Sequence, residues 1–261
     1  MEIKKFTAAR GWTWFKQGYQ LIMISPILAI ATALIGALAI FLAMMVPLIG
    51  PLLAVILMPI MLAGYMRVCR ALEEHEEVDL THLLSGFKKS TPALVSLGAF
   101  LMMGMLLASA VMVFVGGEQL TTLMEEVRTT DNPQVLMAAI QTAGGGVALA
   151  ILLGFTLVLM LIVAWQYAPM LVFFSNVPPV MALRDSFVGT LRNIVPYTVY
   201  SLIMQLAALV LGILPYGIGM ILLLPLGLTS LYVSYRNIFP WLDAPVAVSS
   251  TPDARIDGTP L

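Results

Sequence analysis

The sequence predicts an all-α, polytopic integral membrane protein in which six transmembrane helices form three hairpins. Of its 261 residues, 60% are hydrophobic and only 10% are charged, whereas soluble proteins carry about 25% charged residues. Apolar runs long enough to cross a bilayer recur along the chain, separated by prolines, glycines and charged segments. One soluble core could not bury this much apolar surface, so most of the chain is expected to lie in lipid.

The first span is predicted at residues 21–46, after an amphipathic segment at the N-terminus. Residues 1–20 place Trp12, Phe15 and Tyr19 on one helical face among lysines and an arginine, an arrangement typical of the headgroup layer. As a helix, the following apolar run would be about 39 Å long. That length exceeds a hydrocarbon core of about 30 Å, so the segment can cross the bilayer with some tilt.

The second span, residues 52–66, is predicted to return to the starting side after a short Pro- and Gly-containing turn. From Arg67 to Lys89 the chain then leaves the bilayer. The glutamates after Arg70 can pair with the two arginines at helical spacings, which predicts a solvated helical extension. Asp79 is predicted to cap an amphipathic helix that lies on the membrane surface.

The third and fourth spans, residues 92–115 and 147–167, flank a far-side loop at residues 116–146. Apolar residues at helical spacing between Leu120 and Val127 predict a short interfacial helix in this loop. A second interfacial helix is predicted after a cap at Asn132.

The fifth and sixth spans are predicted at residues 196–214 and 218–235, joined by a turn at residues 215–217. An amphipathic surface helix at residues 180–191 precedes them. The six-span domain therefore covers residues 1–241. Residues 242–261 are rich in Pro, Ser, Thr and Asp, which predicts a disordered tail.

The distribution of basic residues predicts the orientation. Twelve of the 13 lysines and arginines lie in the segments that share a side with both termini, and the opposite side holds only Arg128. By the positive-inside rule, the N- and C-termini are expected in the cytoplasm. The sequence has no prenylation signal and no Asn-x-Ser/Thr glycosylation site, which is compatible with a multi-pass protein of the bacterial inner membrane.

Short motifs spread over most of the chain carry a family resemblance: Gly11-Trp12-x-Trp14 with Gly18, Pro59 to Arg70, Tyr167-Ala168-Pro169, Ser186-Phe187 with Arg192-Asn193, and Tyr235-Arg236-Asn237-Ile238-Phe239. On these motifs the chain resembles a family of uncharacterised bacterial polytopic inner-membrane proteins. The resemblance implies the same helical membrane fold. It implies no mechanism, because that family has no assigned activity.

The predicted spans contain no ionisable side chain in their interiors, whereas ion-coupled transporters need such groups at membrane depth. The polar side chains expected to make hydrogen bonds between helices are Gln166, Ser201 and Gln205. Outside the spans, the spacing of Cys69, His75 and His82 matches no known metal-ligand pattern. We therefore expect neither a metal site nor a cofactor.

The remaining candidate site is a ring of arginines and tryptophans at the predicted cytoplasmic ends of the helices: Trp12, Trp14, Arg67, Arg70, Arg184, Arg192 and Arg236. Cations in this position bind anionic lipid headgroups, or they orient the protein in the membrane and have no further role.

Two functions are compatible with these features. The leading hypothesis is a non-enzymatic protein that acts by binding, an assembly or scaffold factor that contacts membrane lipids and another membrane protein or a second copy of itself. The alternative is an uncoupled transporter or lipid-handling protein whose pathway runs between the hairpins, where Gly and Pro interrupt the helices. A net charge of -1 gives no indication of nucleic-acid binding.

Overall fold

A computed structural model describes residues 3–130, 144–213 and 218–240, together with residues 132, 134, 137, 138 and 141. Every regular element within these residues is helical. In chain order the elements are α1 (Ala9–Ile24), α2 (Pro26–Met44), α3 (Gly50–Glu73), a 3-10 turn (Leu80–His82), α4 (Ser85–Lys88), α5 (Thr91–Thr129), α6 (Gly145–Trp165), α7 (Ala168–Ser175), α8 (Pro179–Arg192), α9 (Ile194–Gly212) and α10 (Ile218–Ile238).

Five segments of the described residues are long and apolar enough to cross a membrane: Pro26–Met44, Gly50–Glu73, Thr91–Thr129, Gly145–Ser175 and Ile194–Gly212. They overlap the first five predicted spans, which confirms an all-helical polytopic membrane fold. Helix α10 occupies the place of the predicted sixth span, and the count of six stays a prediction. The turn predicted at residues 215–217 and the tail predicted at residues 242–261 lie outside the described residues.

The helices form three hairpins, α2–α3, α5–α6 and α9–α10, and a shorter helix precedes each of them. Helix α3 lies at the centre, where it packs against α1, α2, α4, α5, α7 and α10. Helix α1 packs against α9 and α10, and α8 packs against α6. The principal core is the cluster of buried side chains at the end of the spans that carries Arg67, Arg70 and Arg236, which we call the arginine end.

The structure divides the predicted first span. Helix α1 ends at Ile24, Ser25 has a non-helical backbone, and α2 begins at Pro26. Proline has no backbone N–H and its ring excludes a preceding helical turn, so it is favoured at the first position of a helix. Leu21 and Ile22 therefore belong to α1, where both are buried.

The extension predicted after residue 66 is helical, but it is not solvated along its whole length. Helix α3 continues to Glu73, and Val68, Cys69 and Leu72 are almost completely buried. Aromatic side chains from neighbouring helices, including Tyr232 and Phe174, lie against this part of α3. Sequence periodicity records that a segment is helical and polar at its end, but it does not record which distant helices pack around it.

The segment after α3 is capped as predicted, but it is not one amphipathic helix. The Asp79 side chain accepts a hydrogen bond from the Thr81 N–H at 2.9 Å, and the His82 Nδ1 accepts one from the Asp79 N–H at 3.1 Å. A 3-10 turn and the four-residue α4 follow. Leu83, only 3% exposed, lies against Gly64 of α3, where a Cβ would overlap the Leu83 carbonyl oxygen.

Helix α5 has two helical parts, and the first ends close to the predicted end of the third span because the backbone is non-helical at Gly117. Its φ of 55° is a conformation that glycine adopts without steric cost. In the helical part that follows, Leu120 is buried and Met124 is exposed. The Asn132 side chain accepts a hydrogen bond from the residue 134 N–H at 3.0 Å, and most of the second interfacial helix predicted in this loop lies outside the described residues.

Candidate functional site

The three hairpins enclose a cavity of about 480 Å³, within the range of roughly 300–1,000 Å³ that is typical of small-molecule sites. Its lining is almost entirely apolar. We call it the central cavity, and its lining residues are Thr32, Ala33, Gly36, Ala37, Ile40, Met58, Met61, Leu62, Tyr65, Leu83, Leu101, Met105, Ile162, Trp165, Gln166, Leu224, Leu228 and Leu231.

The central cavity is closed toward the arginine end. Tyr65, Leu83 and Gln166 line that end and are 2%, 3% and 7% exposed. The Tyr65 hydroxyl donates a hydrogen bond to the Ala29 carbonyl at 3.2 Å, and it thereby links α3 to the beginning of α2. An occupant of the cavity therefore meets a packed wall at this end.

The central cavity opens sideways between the spans. Met58, Met105, Ile162 and Leu224 line it and are also exposed on the outer surface of the helices. Met58, Met105 and Ile162 lie within apolar segments of transmembrane length, where the surrounding solvent is the hydrocarbon of the bilayer. The opening therefore faces lipid.

Small residues on α2 create much of the space. Ala33, Gly36 and Ala37 line the cavity at helical spacing. A Cβ added to Gly36 would meet only a Leu83 methyl carbon, at 3.7 Å, which is an ordinary van der Waals contact. The Gly36 position can therefore accept a side chain only by taking volume from the cavity.

Gln166 lies where α6 is interrupted before α7. Its Nε2 donates a hydrogen bond to the Thr190 Oγ1 of α8 at 2.5 Å. The next residue, Tyr167, donates its N–H to the Ser186 Oγ at 3.1 Å, and the Ser186 hydroxyl donates to the Val163 carbonyl at 3.0 Å. The hydroxyl thus occupies the gap left by the missing helical bond between residues 167 and 163.

Sequence reasoning named Ser186 only as part of a family motif and missed this role. Pro169 indicated that the helix is interrupted here, because a proline displaces the helix that precedes it and leaves backbone groups without helical partners. A buried serine or threonine on another helix is the usual way to satisfy such groups within a membrane.

The other two polar side chains predicted to make contacts between spans lie on α9. Ser201 is half-buried and Gln205 is exposed. Neither side chain makes a hydrogen bond to any residue that the structure describes.

Three of the predicted ring arginines converge at the arginine end, where each pairs with a carboxylate. Arg70 pairs with Glu74 at 2.8 Å, the predicted helical spacing, and Arg67 pairs with Glu76 at 2.6 Å. Arg236 of α10 pairs with Glu73 of α3, which also accepts a hydrogen bond from the Tyr232 hydroxyl at 2.8 Å. We call these residues the ion-pair cluster, and it joins the ends of α3 and α10.

Hydrogen bonding to Arg67 and its positive charge hold the pKa of Glu76 below the ordinary value for glutamate. Glu76 is exposed in the segment that follows α3. Its ion pair therefore lies in water at the edge of the cluster, where screening weakens it.

The rest of the predicted ring does not converge on this cluster. Arg184 and Arg192 are exposed on α8, and neither makes an ion pair within the described residues. Trp14 is completely buried in the core, whereas Trp12 is 55% exposed and stacks on Phe15 with ring centroids 5.6 Å apart. Five arginines that look alike in the sequence therefore have two different environments.

The three residues considered as metal ligands lie in different environments. Cys69 is buried in the middle of the helical core. His75 has a left-handed backbone with a φ of 54°, and the His82 Nδ1 is already bound to the Asp79 N–H.

A comparison with known proteins gives one informative relative, a protein of Burkholderia thailandensis named "Probable inner membrane protein". It is 27% identical to this chain over an alignment 260 positions long, and the alignment covers 92% of the chain and 94% of the relative. No family model matches the chain, and no solved structure matches it. With its five membrane-length apolar segments among the described residues, the chain is an all-helical polytopic membrane protein, similar over most of its length to a protein named for the bacterial inner membrane.

Proposed function

We propose that this protein is a non-enzymatic, lipid-handling membrane protein that takes a hydrocarbon chain from the bilayer into its central cavity. The observation that carries the proposal is the form of that cavity, which is apolar, closed at the arginine end and open between the spans to lipid. Water and polar solutes are excluded by such a lining. A lipid tail is the one abundant molecule at that depth with matching chemistry.

Shape, and not hydrophobicity, must select the occupant. Lipid tails are as apolar as leucine, so a chain that moves from the bilayer into the cavity gains no hydrophobic free energy. It gains van der Waals contacts with the lining residues and loses chain entropy. A bound chain is therefore expected to exchange with the bilayer, as a lipid carrier or exchanger requires.

A protein with this function does not need to make or break covalent bonds. The one cysteine, Cys69, is buried in the core with no access to the cavity lining, which supports a binding function. The leading hypothesis, an assembly or scaffold factor, stays a prediction. Of the arginines on which it depended, Arg67, Arg70 and Arg236 make ion pairs within the chain.

The test fills the cavity and measures lipid retention. Gly36→Phe places a ring in the cavity, and Leu38→Phe is the matched control, because Leu38 is on the same helix and is 53% exposed. Each variant is reconstituted with a phospholipid that carries a photoactivatable group on its acyl chain, and the crosslinked residues are mapped after illumination.

We expect the native chain and Leu38→Phe to crosslink at Met61 and Leu228, which line the cavity. In Gly36→Phe the crosslinking at these two residues should fall about fourfold. Crosslinks at lipid-facing residues outside the cavity should be equal in all three proteins. Cavity crosslinks that are absent from the native chain, or equal in Gly36→Phe, would contradict the proposed function.

A further inference from the structure

The outer face of α9 combines apolar exposure with one unsatisfied amide. Helix α9 is the least buried of the five membrane-length segments found among the described residues. Four of its exposed residues follow one another at intervals of four, three and four: Thr198, Leu202, Gln205 and Leu209. This is the spacing with which one helix presents a continuous seam to a partner helix.

Gln205 lies near the middle of α9, seven residues from its last residue, Gly212, and eleven from its first, Ile194. At 1.5 Å per residue these separations are about 10 Å and about 16 Å along the axis. A glutamine side chain is too short to reach the headgroup layer from this depth. Its amide therefore faces hydrocarbon, where an unpaired amide is unfavourable.

Gln205 has no hydrogen-bond partner among the residues that the structure describes. An amide is complementary to itself in charge, because its NH₂ group carries partial positive charge and its carbonyl oxygen carries partial negative charge. Two copies of the chain in one membrane have the same orientation, so a two-fold axis along the membrane normal places the same residue at the same depth in both.

We propose that two copies of this protein associate through the outer faces of their α9 helices, with the Gln205 side chains hydrogen-bonded to each other across the two-fold axis. Thr198, Leu202 and Leu209 pack along the same seam. The central cavity does not contribute to this interface, because no α9 residue lines it. The association is therefore independent of what the cavity holds.

Cysteine crosslinking tests the geometry. The chain has a single cysteine, Cys69, which is buried, so Cys69→Ala provides a background without reactive thiols. Leu209→Cys and Val210→Cys are a matched pair, because the native residues are adjacent and are 69% and 66% exposed. They point about 100° apart around the helix.

The full chain is placed in bilayers, and copper phenanthroline serves as the oxidant that joins two thiols into a disulfide. We expect Leu209→Cys to form at least fivefold more crosslinked dimer than Val210→Cys. Equal crosslinking of the two variants, or none at Leu209→Cys, would overturn the proposed seam.

The second experiment tests the amide by substituting Gln205. Gln205→Leu preserves the size of the side chain, and we expect it to reduce the dimer fraction, counted by single-molecule photobleaching in vesicles, with an association constant about tenfold lower. Ser201→Ala also removes a polar group from α9, from a half-buried position off the seam, and should leave the constant unchanged. An unchanged constant in Gln205→Leu, or an equal fall in Ser201→Ala, would contradict the Gln205 pairing.

Discussion

Helices α3 and α9 are similar in sequence character and opposite in environment. Both contain a membrane-length apolar segment, yet 56% of the most apolar window of α3 is buried in the protein and only 6% of that of α9. Helix α3 contacts six other helices, whereas the buried residue of α9 is Pro196 near its beginning. Hydropathy therefore identifies the spans but does not distinguish a central helix from a peripheral one.

The difference matters because the surroundings of the two helices differ in what they can accommodate. Lipid adapts its shape to a substituted side chain, whereas a close-packed protein interior does not. Equivalent substitutions on α3 and α9 should therefore have unequal effects on stability, and matched pairs of variants measure this directly.

The largest expected effect is at a glycine. In Gly64→Ala the new Cβ overlaps the Leu83 carbonyl oxygen, a backbone atom that cannot rotate away, so we expect a loss of about 3 kcal/mol of stability. Gly212→Ala is the control on α9, where a Cβ would meet nothing within 4 Å. Thermal unfolding in detergent should show a fall in Tm for Gly64→Ala alone. Equal Tm values for the two variants would contradict the packing of residues 79–89 on α3.

A smaller effect is expected at a buried hydroxyl. Ser186→Ala leaves the Tyr167 N–H and the Val163 carbonyl without their bridging partner, at a cost of roughly 1–3 kcal/mol. Ser201→Ala, the control on α9, removes a hydroxyl without a hydrogen bond to the described residues. In denaturant unfolding, Ser186→Ala should have a lower free energy of unfolding than Ser201→Ala. If Ser201→Ala is destabilised as much as Ser186→Ala, the bridge is not what stabilises the break between α6 and α7.

Local features of this fold could be predicted from the sequence. The apolar runs located the spans, and Asp79 was recognised as a cap because both of its hydrogen-bond partners lie within three residues. The pairing of Arg70 with Glu74 followed from the helical spacing of four residues. Each of these depends on short separations along the chain, which periodicity and capping rules describe.

Features that join distant residues could not be predicted. Arg236 and Glu73 meet across the contact between α10 and α3, and Ser186 meets the α6 backbone from a separate helix. The central cavity is a further example, because it depends on where small residues of α2 lie relative to four other helices. Helix packing in lipid is selected by shape and hydrogen bonding, and the hydropathy of one sequence does not show which helices meet.

The ion-pair cluster should contribute less than the buried hydroxyl, because it is partly hydrated. Arg236→Met removes the partner of Glu73, and their side chains are 31% and 28% exposed, so we expect a loss of about 1 kcal/mol after screening. Arg192→Met is the control, an exposed arginine with no ion pair among the described residues. Urea unfolding of both variants provides the measurement. A loss in Arg192→Met that matches that of Arg236→Met would show that net charge, and not the α3–α10 contact, is responsible.

The smallest effect is a pH dependence at the edge of the same cluster. Because Arg67 lowers the pKa of Glu76 in the folded chain, the pair stabilises the fold fully above the ordinary glutamate pKa of about 4.3. That contribution disappears as the pH falls through the lower pKa of the folded state. Glu76→Gln should therefore be less stable than the native chain at neutral pH and equal to it at the acidic end. Glu77→Gln is the control, because it removes a carboxylate from the same segment that makes no ion pair among the described residues. A difference between native and Glu76→Gln Tm values that does not narrow toward low pH would contradict the pairing of Glu76 with Arg67.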